Sequence, residues 1–121
     1  MALALWAAAA MALCQQRPVE PPEEDEALAA REYSFNPLQA EKELRVGNFY
    51  FKKGSYRAAA LRFREATRWN PKWAEAWLRL GEAQEKLGDK KAAREAYEKF
   101  LELAPGHRRA AEVRKKLAGM G

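Results

Sequence analysis

The sequence contains few of the residues that usually carry chemistry. It has one cysteine, Cys14, one histidine, His107, and two aspartates, Asp25 and Asp89. One cysteine excludes a disulfide framework or a Cys/His metal site within one chain. A single histidine without a nucleophile or a matched carboxylate pair does not indicate acid–base or covalent catalysis, and the glycines lie too far apart for a phosphate-binding loop. We therefore expect no enzyme activity, no cofactor and no metal.

The sequence also lacks an apolar run long enough to cross a bilayer. The apolar stretch from Ala2 to Cys14 has 13 residues, whereas a membrane-spanning helix needs about 20. This length suits a secretory signal. An apolar run that ends in a cysteine and opens into a polar, proline-rich spacer resembles a bacterial lipoprotein signal, in which the cysteine receives the lipids. We interpret residues 1–14 as this signal and Cys14 as a lipidation site. An uncleaved signal or another cleavage site is the alternative.

Charge divides the chain into an acidic and a basic part. The whole chain has a net charge of +5, but residues 1–37 carry −4 and residues 38–121 carry +9. Residues 15–37 combine prolines with the acidic run from Glu23 to Glu26, which predicts a disordered linker, with Tyr33 and Phe35 docking on the folded part. The basic part suggests either binding to anionic membranes or nucleic acid, or a solvated helical surface. The second interpretation is favoured because the basic residues stand among acids at helical spacing.

Self-similarity at an offset of 34 residues is the strongest pattern in the chain. Gly47 pairs with Gly81, Ala59 with Ala93, Phe63 with Tyr97, and Pro71 with Pro105. This period and these residue types resemble the tetratricopeptide repeat. The remaining residues that carry the resemblance are Tyr50, Trp77 and Leu80, and Gln84 stands where unit two would have the tyrosine that Tyr50 supplies to unit one.

Local signals agree with this pattern and predict an all-α fold. Helices are expected over residues 38–53 and 56–67, with Gly54 ending the first and Ser55 capping the second. Asn70-Pro71 is expected to stop the second helix and to start the third. The same order of signals then repeats. We predict an α-solenoid with repeat 1 at residues 40–73, repeat 2 at 74–107, and a capping helix at 108–118, within a domain spanning 38–121.

The resemblance implies a protein-binding scaffold whose ligand lies in a groove lined by the first helix of each repeat. Carried onto this sequence, the groove positions are Glu41, Leu44, Asn48, Phe51, Lys52, Glu75, Leu78, Arg79, Glu82 and Lys86. Asn48 and Arg79 are suited to bond a peptide backbone or carboxylate. Leu44 and Leu78 stand at positions where carboxylate-gripping members carry polar clamps, which argues against such a clamp. Ordinary packing between repeats is the alternative role of Leu44 and Phe51.

A signal, an acidic tether and these repeats together resemble the lipoprotein component of the outer-membrane β-barrel assembly machinery (the BamD/YfiO-like family). The expected function is then a scaffold of the bacterial cell envelope, at the outer membrane or in the periplasm, that binds a protein or peptide. The alternatives are a basic binder of anionic membrane or, less favoured, nucleic acid, and a cytoplasmic adaptor. Homo-oligomerisation is left open, because two repeats are close to the lower limit for independent stability.

Three tryptophans four residues apart raise a final question. Trp69, Trp73 and Trp77 form either a ligand-binding patch or a buried seam between helices. In the repeat register, Trp77 holds a large apolar core position, while Trp69 and Trp73 flank the Asn70-Pro71 turn. We predict that the group is mainly a joint between repeats, with Trp73 as its one exposed contact.

Overall fold

A computed structural model describes residues 33–120 of the protein. Every regular element in this part is a helix, as expected for an all-α fold. The signal segment with Cys14, and the linker up to residue 32, lie outside the described residues. None of the described helices is long and apolar enough to cross a membrane. The helices are α1 (Pro37–Lys52), α2 (Tyr56–Trp69), α3 (Ala74–Lys86), α4 (Lys90–Leu103) and α5 (Ala110–Gly119).

Two of the helix starts are capped by an acceptor side chain. The Gln39 N–H donates to Oδ1 of Asn36 at 3.0 Å, ahead of Pro37 at the first position of α1. The Ala92 N–H donates to Oδ1 of Asp89 at 3.2 Å ahead of α4. Ser55 occupies the N-cap position before α2, as predicted, but its side chain makes no cap hydrogen bond. The backbone of Ser55 makes the connection instead, because its N–H donates to the Tyr50 carbonyl at 2.9 Å.

The turns follow the predicted order with two shifts. Gly54 and Gly88 have φ values of 79° and 78°, the left-handed conformation that favours glycine at a helix end. The third helix begins at Ala74, three residues after Pro71, because the Trp73 N–H donates to the Asn70 carbonyl and closes a turn. Residues 105–109 likewise form turns before α5, so this helix begins at Ala110, two residues later than predicted.

Consecutive helices pack in pairs, α1 with α2, α2 with α3, α3 with α4, and α4 with α5. One apolar core lies mainly between α1, α2 and α3, and a second between α3, α4 and α5. In each core an aromatic ring of the second helix lies against a glycine of the first, Phe63 on Gly47 and Tyr97 on Gly81. Both rings are fully buried. The glycines are required there because a side chain would overlap the ring.

The tryptophans lie along the joint between these pairs. Trp77 is half-buried and contacts both cores, and its Nε1–H donates to the Pro71 carbonyl at 2.8 Å. Trp73 is also half-buried and packs on the first core, so it is less exposed than predicted. Trp69 meets the Tyr33 ring edge-on, with 4.8 Å between ring centroids. Trp73 and Trp77 therefore act mainly in the joint, whereas Trp69 contacts the segment before α1.

Residues 33–36, which the predicted linker includes, are attached to α2. The Tyr33 hydroxyl donates to Glu65 Oε2 at 2.9 Å, and the Asn36 N–H donates to the Trp69 carbonyl at 3.0 Å. The expected docking of Tyr33 is confirmed. The expectation for Phe35 is wrong, because its side chain is 71% exposed. Residues 33–36 therefore belong to the same compact unit as the helices.

Candidate interaction surface

We use the term groove face for the surface formed by the predicted groove positions of α1 and α3. The structure divides these positions into three groups by exposure. Leu44 and Leu78 are buried, at 8% and 2% exposure, and belong to the two cores. Their side chains therefore offer little surface to a ligand. The exposed positions are Glu41, Lys52, Glu75 and Lys86, and the half-buried positions are Asn48, Phe51, Arg79 and Glu82.

Arg79 connects α3 to α1 at the middle of the groove face. Its Nε–H donates to Asn48 Oδ1 at 3.0 Å, and its guanidinium lies 4.5 Å from the centroid of the Phe51 ring. These contacts hold the two polar side chains next to each other above an aromatic surface. The amide nitrogen of Asn48 has no hydrogen-bond partner among residues 33–120. A positioned amide with free donors is suited to bind a carbonyl or carboxylate oxygen.

Glu82 extends this polar group toward α5. Its carboxylate accepts hydrogen bonds from Nη1 of Arg79 and from Nη1 of Arg109, each at 3.2 Å. Arg109 also pairs with Glu112 at 3.1 Å. These hydrogen bonds, first to Glu112 and then to Glu82, raise the pKa of Arg109, and the same guanidinium lowers the pKa of the exposed Glu112 carboxyl. The result is a continuous chain of hydrogen-bonded polar side chains from Asn48 to Glu112.

A second ion pair joins α3 and α5 about one helical turn after Glu82. Lys116 Nζ lies 3.4 Å from Glu85 Oε1, and the Tyr97 hydroxyl donates to the other Glu85 oxygen at 3.3 Å. Burial of the Tyr97 ring, followed by the nearby Glu85 charge, raises the pKa of its hydroxyl. Three helices therefore contribute polar side chains to one surface.

Sequence reasoning placed the groove on α1 and α3 and missed the part played by α5. Arg109 and Lys116 are absent from the predicted groove positions. The 34-residue period could have identified them, because Arg109 and Lys116 lie 34 positions after Glu75 and Glu82. Helix α5 thus stands in the register of the first helix of a third repeat, and we extend the groove face to include Arg109, Glu112 and Lys116.

His107 lies beside this surface in a structural setting. Its Nδ1 accepts a hydrogen bond from the Arg109 N–H at 3.1 Å, and its ring meets Phe100 edge-on at 5.1 Å. These contacts help to shape the turn that presents Arg109. Within the described residues, no group of three or more His, Cys, Asp or Glu side chains is placed to hold a metal ion.

The paired helices, the glycine–ring contacts and the 34-residue register define a helical repeat scaffold. Residues 47–108, just over half of the chain, match the family model of the tetratricopeptide repeat. The chain belongs to this family, whose repeats generally mediate protein–protein interactions. A search among curated proteins returned no significant match.

Proposed function

We propose that this protein is a non-enzymatic scaffold that binds an extended segment of a partner protein on its groove face. The observation that carries the proposal is the Arg79–Asn48 contact, which fixes an arginine and an amide side by side between two repeats. Both side chains are only half-buried, so they are accessible as well as ordered.

The chemistry of the surface favours a peptide over a small molecule. The Asn48 amide supplies donors that suit a backbone carbonyl. The Phe51 ring below the Arg79 guanidinium supplies apolar area. Exposed charges of both signs surround this centre. Glu41 lies in the second turn of α1 and Glu75 in the first turn of α3, whereas Lys52 and Lys86 lie in the last turns of these helices. A bound segment would meet acids at one end of the groove face and bases at the other.

Site-specific photo-crosslinking in the native host tests this function. A photoreactive amino acid is placed at Lys52 or Lys86 on the groove face and, as a matched control, at exposed Glu98 on α4. We expect the same discrete protein adduct from both groove positions and none from the control. Asn48→Ala should remove most of this adduct while leaving the helical content unchanged. Equal adducts from all three positions would refute groove-face binding.

We further propose that the scaffold acts in the bacterial cell envelope, with outer-membrane protein assembly as the process served. This part rests on the sequence of residues 1–37, in which an apolar run ends at Cys14 and an acidic tether follows. Metabolic labelling with a fatty-acid analogue should mark the wild-type protein and not Cys14→Ser. Equal labelling of the two would exclude lipidation at this cysteine. Fractionation of membrane from soluble material then tests the compartment separately from the groove.

A further inference from the structure

A cleft of about 460 Å³ lies between α2 and α4, and no groove-face residue lines it. Its apolar base includes Trp77 and Leu80 of α3, next to Gln84. Arg64 and Glu95 also line it and are exposed, so the cleft opens to solvent. The site is therefore separate from the groove face and contains both apolar and polar surface.

Gln84 is the unusual residue in this cleft. Its side chain is 5% exposed, and its Oε1 is buried without a hydrogen-bond partner. Buried side-chain oxygens in folded proteins are nearly always hydrogen-bonded, because an unsatisfied one costs about 1–3 kcal/mol. No donor within residues 33–120 reaches this oxygen. A ligand that carries a donor would satisfy it once the terminal amide turns this oxygen toward the cleft, and that torsion has a broad energy minimum.

The repeat itself indicates the shape of the missing group. Tyr50 holds the position in repeat 1 that Gln84 holds in repeat 2, 34 residues later. Tyr50 is half-buried and packs against the first core. The shorter glutamine leaves open the space in which a ring would lie in repeat 2. A phenol group therefore matches the cleft in two ways, because its ring suits the Trp77 and Leu80 surface and its hydroxyl supplies a donor.

The charges at the cleft favour a ligand that carries a carboxylate next to the phenol group. Arg64 and Arg68 stand on the α2 side and Glu95 on the α4 side. Arg68 is paired with Glu65 at 3.3 Å, whereas the Arg64 guanidinium has no ion-pair or hydrogen-bond partner among the described residues. A carboxylate on the α2 side would pair with Arg64 without displacing an existing contact.

We propose that the α2–α4 cleft is a second binding site, which takes a tyrosine side chain next to an acidic residue in an extended segment of a partner protein. The tyrosine ring rests on Trp77 and Leu80, its hydroxyl donates to Gln84 Oε1, and the acid pairs with Arg64. This inference goes beyond the proposed function, because it requires none of the groove-face residues.

The probe is the peptide acetyl-Ala-Glu-Tyr-Ala-Ala-amide, titrated into ¹⁵N-labelled full-length protein and followed by NMR. We expect shifts at the Trp77 indole N–H and at the amides of residues 84 and 92. Replacing the peptide tyrosine with phenylalanine should weaken binding about fivefold, as expected for one lost hydrogen bond. Replacing the peptide glutamate with lysine should also weaken binding to the wild-type protein. The Arg64→Glu variant should instead bind the lysine peptide more tightly than the glutamate peptide.

Two variants close the cleft from different sides. Gln84→Tyr restores the residue type of repeat 1 and should abolish peptide binding without lowering the unfolding temperature. Ala92→Leu fills the cleft from α4 and should also abolish peptide binding, so it tests the site even if the first variant does not fold. Glu75→Gln on the groove face is the control and should bind the peptide as the wild type does. Absent or scattered shifts, or binding that survives both closures, would overturn the site, and equal affinity for the tyrosine and phenylalanine peptides would overturn the choice of tyrosine.

Discussion

Gly81 offers a sharp test of the packing between α3 and α4. A Cβ atom at this position would lie 2.7 Å from both Cδ1 and Cε1 of Tyr97, well inside van der Waals contact. The Tyr97 ring is fully buried and held by its hydrogen bond to Glu85, so it has little room to move. Gly81→Ala therefore forces a shift of a core aromatic or a separation of the two helices.

The expected magnitude is the difference between two opposing effects. Overpacking of a filled core costs about 1–3 kcal/mol, whereas alanine is favoured over glycine in a helix interior by about 1 kcal/mol. We therefore expect Gly81→Ala to lower the free energy of unfolding by up to about 2 kcal/mol. For a domain of this size, each kcal/mol corresponds to a fall of about 4–8 °C in Tm. Urea unfolding of the full-length chain, followed by circular dichroism, measures the change directly.

Gly119 provides the matched control, because it lies in α5 and a Cβ there would meet nothing within 4 Å. Gly119→Ala should leave stability unchanged or raise it slightly. Adding Tyr97→Leu to Gly81→Ala should recover part of the loss in a double-mutant cycle, since the smaller side chain relieves the overlap. If Gly81→Ala is as stable as Gly119→Ala, the close approach of α3 and α4 described above is refuted.

Three further predictions concern the joint, the polar chain and the buried tyrosine. Trp77→Ala should lower the free energy of unfolding by about 3 kcal/mol, near the low end for core aromatics because the ring is half-buried. Trp77→Phe should cost less, because it loses the bond to Pro71, about 1 kcal/mol, but only part of the ring packing. A stable Trp77→Ala would contradict the joint. Glu82→Gln should weaken both arginine contacts and lower the free energy of unfolding by about 1 kcal/mol. This loss should be smaller at high salt. If urea titrations give the same loss at low and high salt, Glu82 has no ionic role. Burial raises the pKa of Tyr97 in the folded state, so the free energy of unfolding should be constant below about pH 10, where the unfolded tyrosine ionises, and fall above it. Tyr97→Phe should flatten that fall. Identical stability profiles of the wild type and the variant at alkaline pH would exclude Tyr97 as its cause.

Local signals in the sequence predicted much of the helix order. The positive φ values of Gly54 and Gly88 and the cap at Asp89 follow from residue type and position. The start of α3 was misplaced because proline can occupy a turn as readily as the first position of a helix. The choice depended on a backbone bond between Trp73 and Asn70, which a residue pattern does not specify.

The groove face was harder to predict than the fold. The repeat register identified Asn48 and Arg79 as neighbours on adjacent repeats, and the structure joins them. The same register included Leu44 and Leu78 as groove positions, although both are buried. A register assigns a position to a face of a helix, but the exposure of its side chain depends on how closely the next helix approaches.

The sequence by itself determined the repeat, its period and its turns, because these depend on backbone preferences and apolar spacing within short stretches. Only the tertiary structure decided which polar groups meet. Arg109 reaches Glu82 across 27 positions, and Gln84 lies in a cleft between two helices with no donor for its oxygen. Such features arise from long side chains converging between separate helices, and neither residue type nor spacing along the chain specifies their geometry.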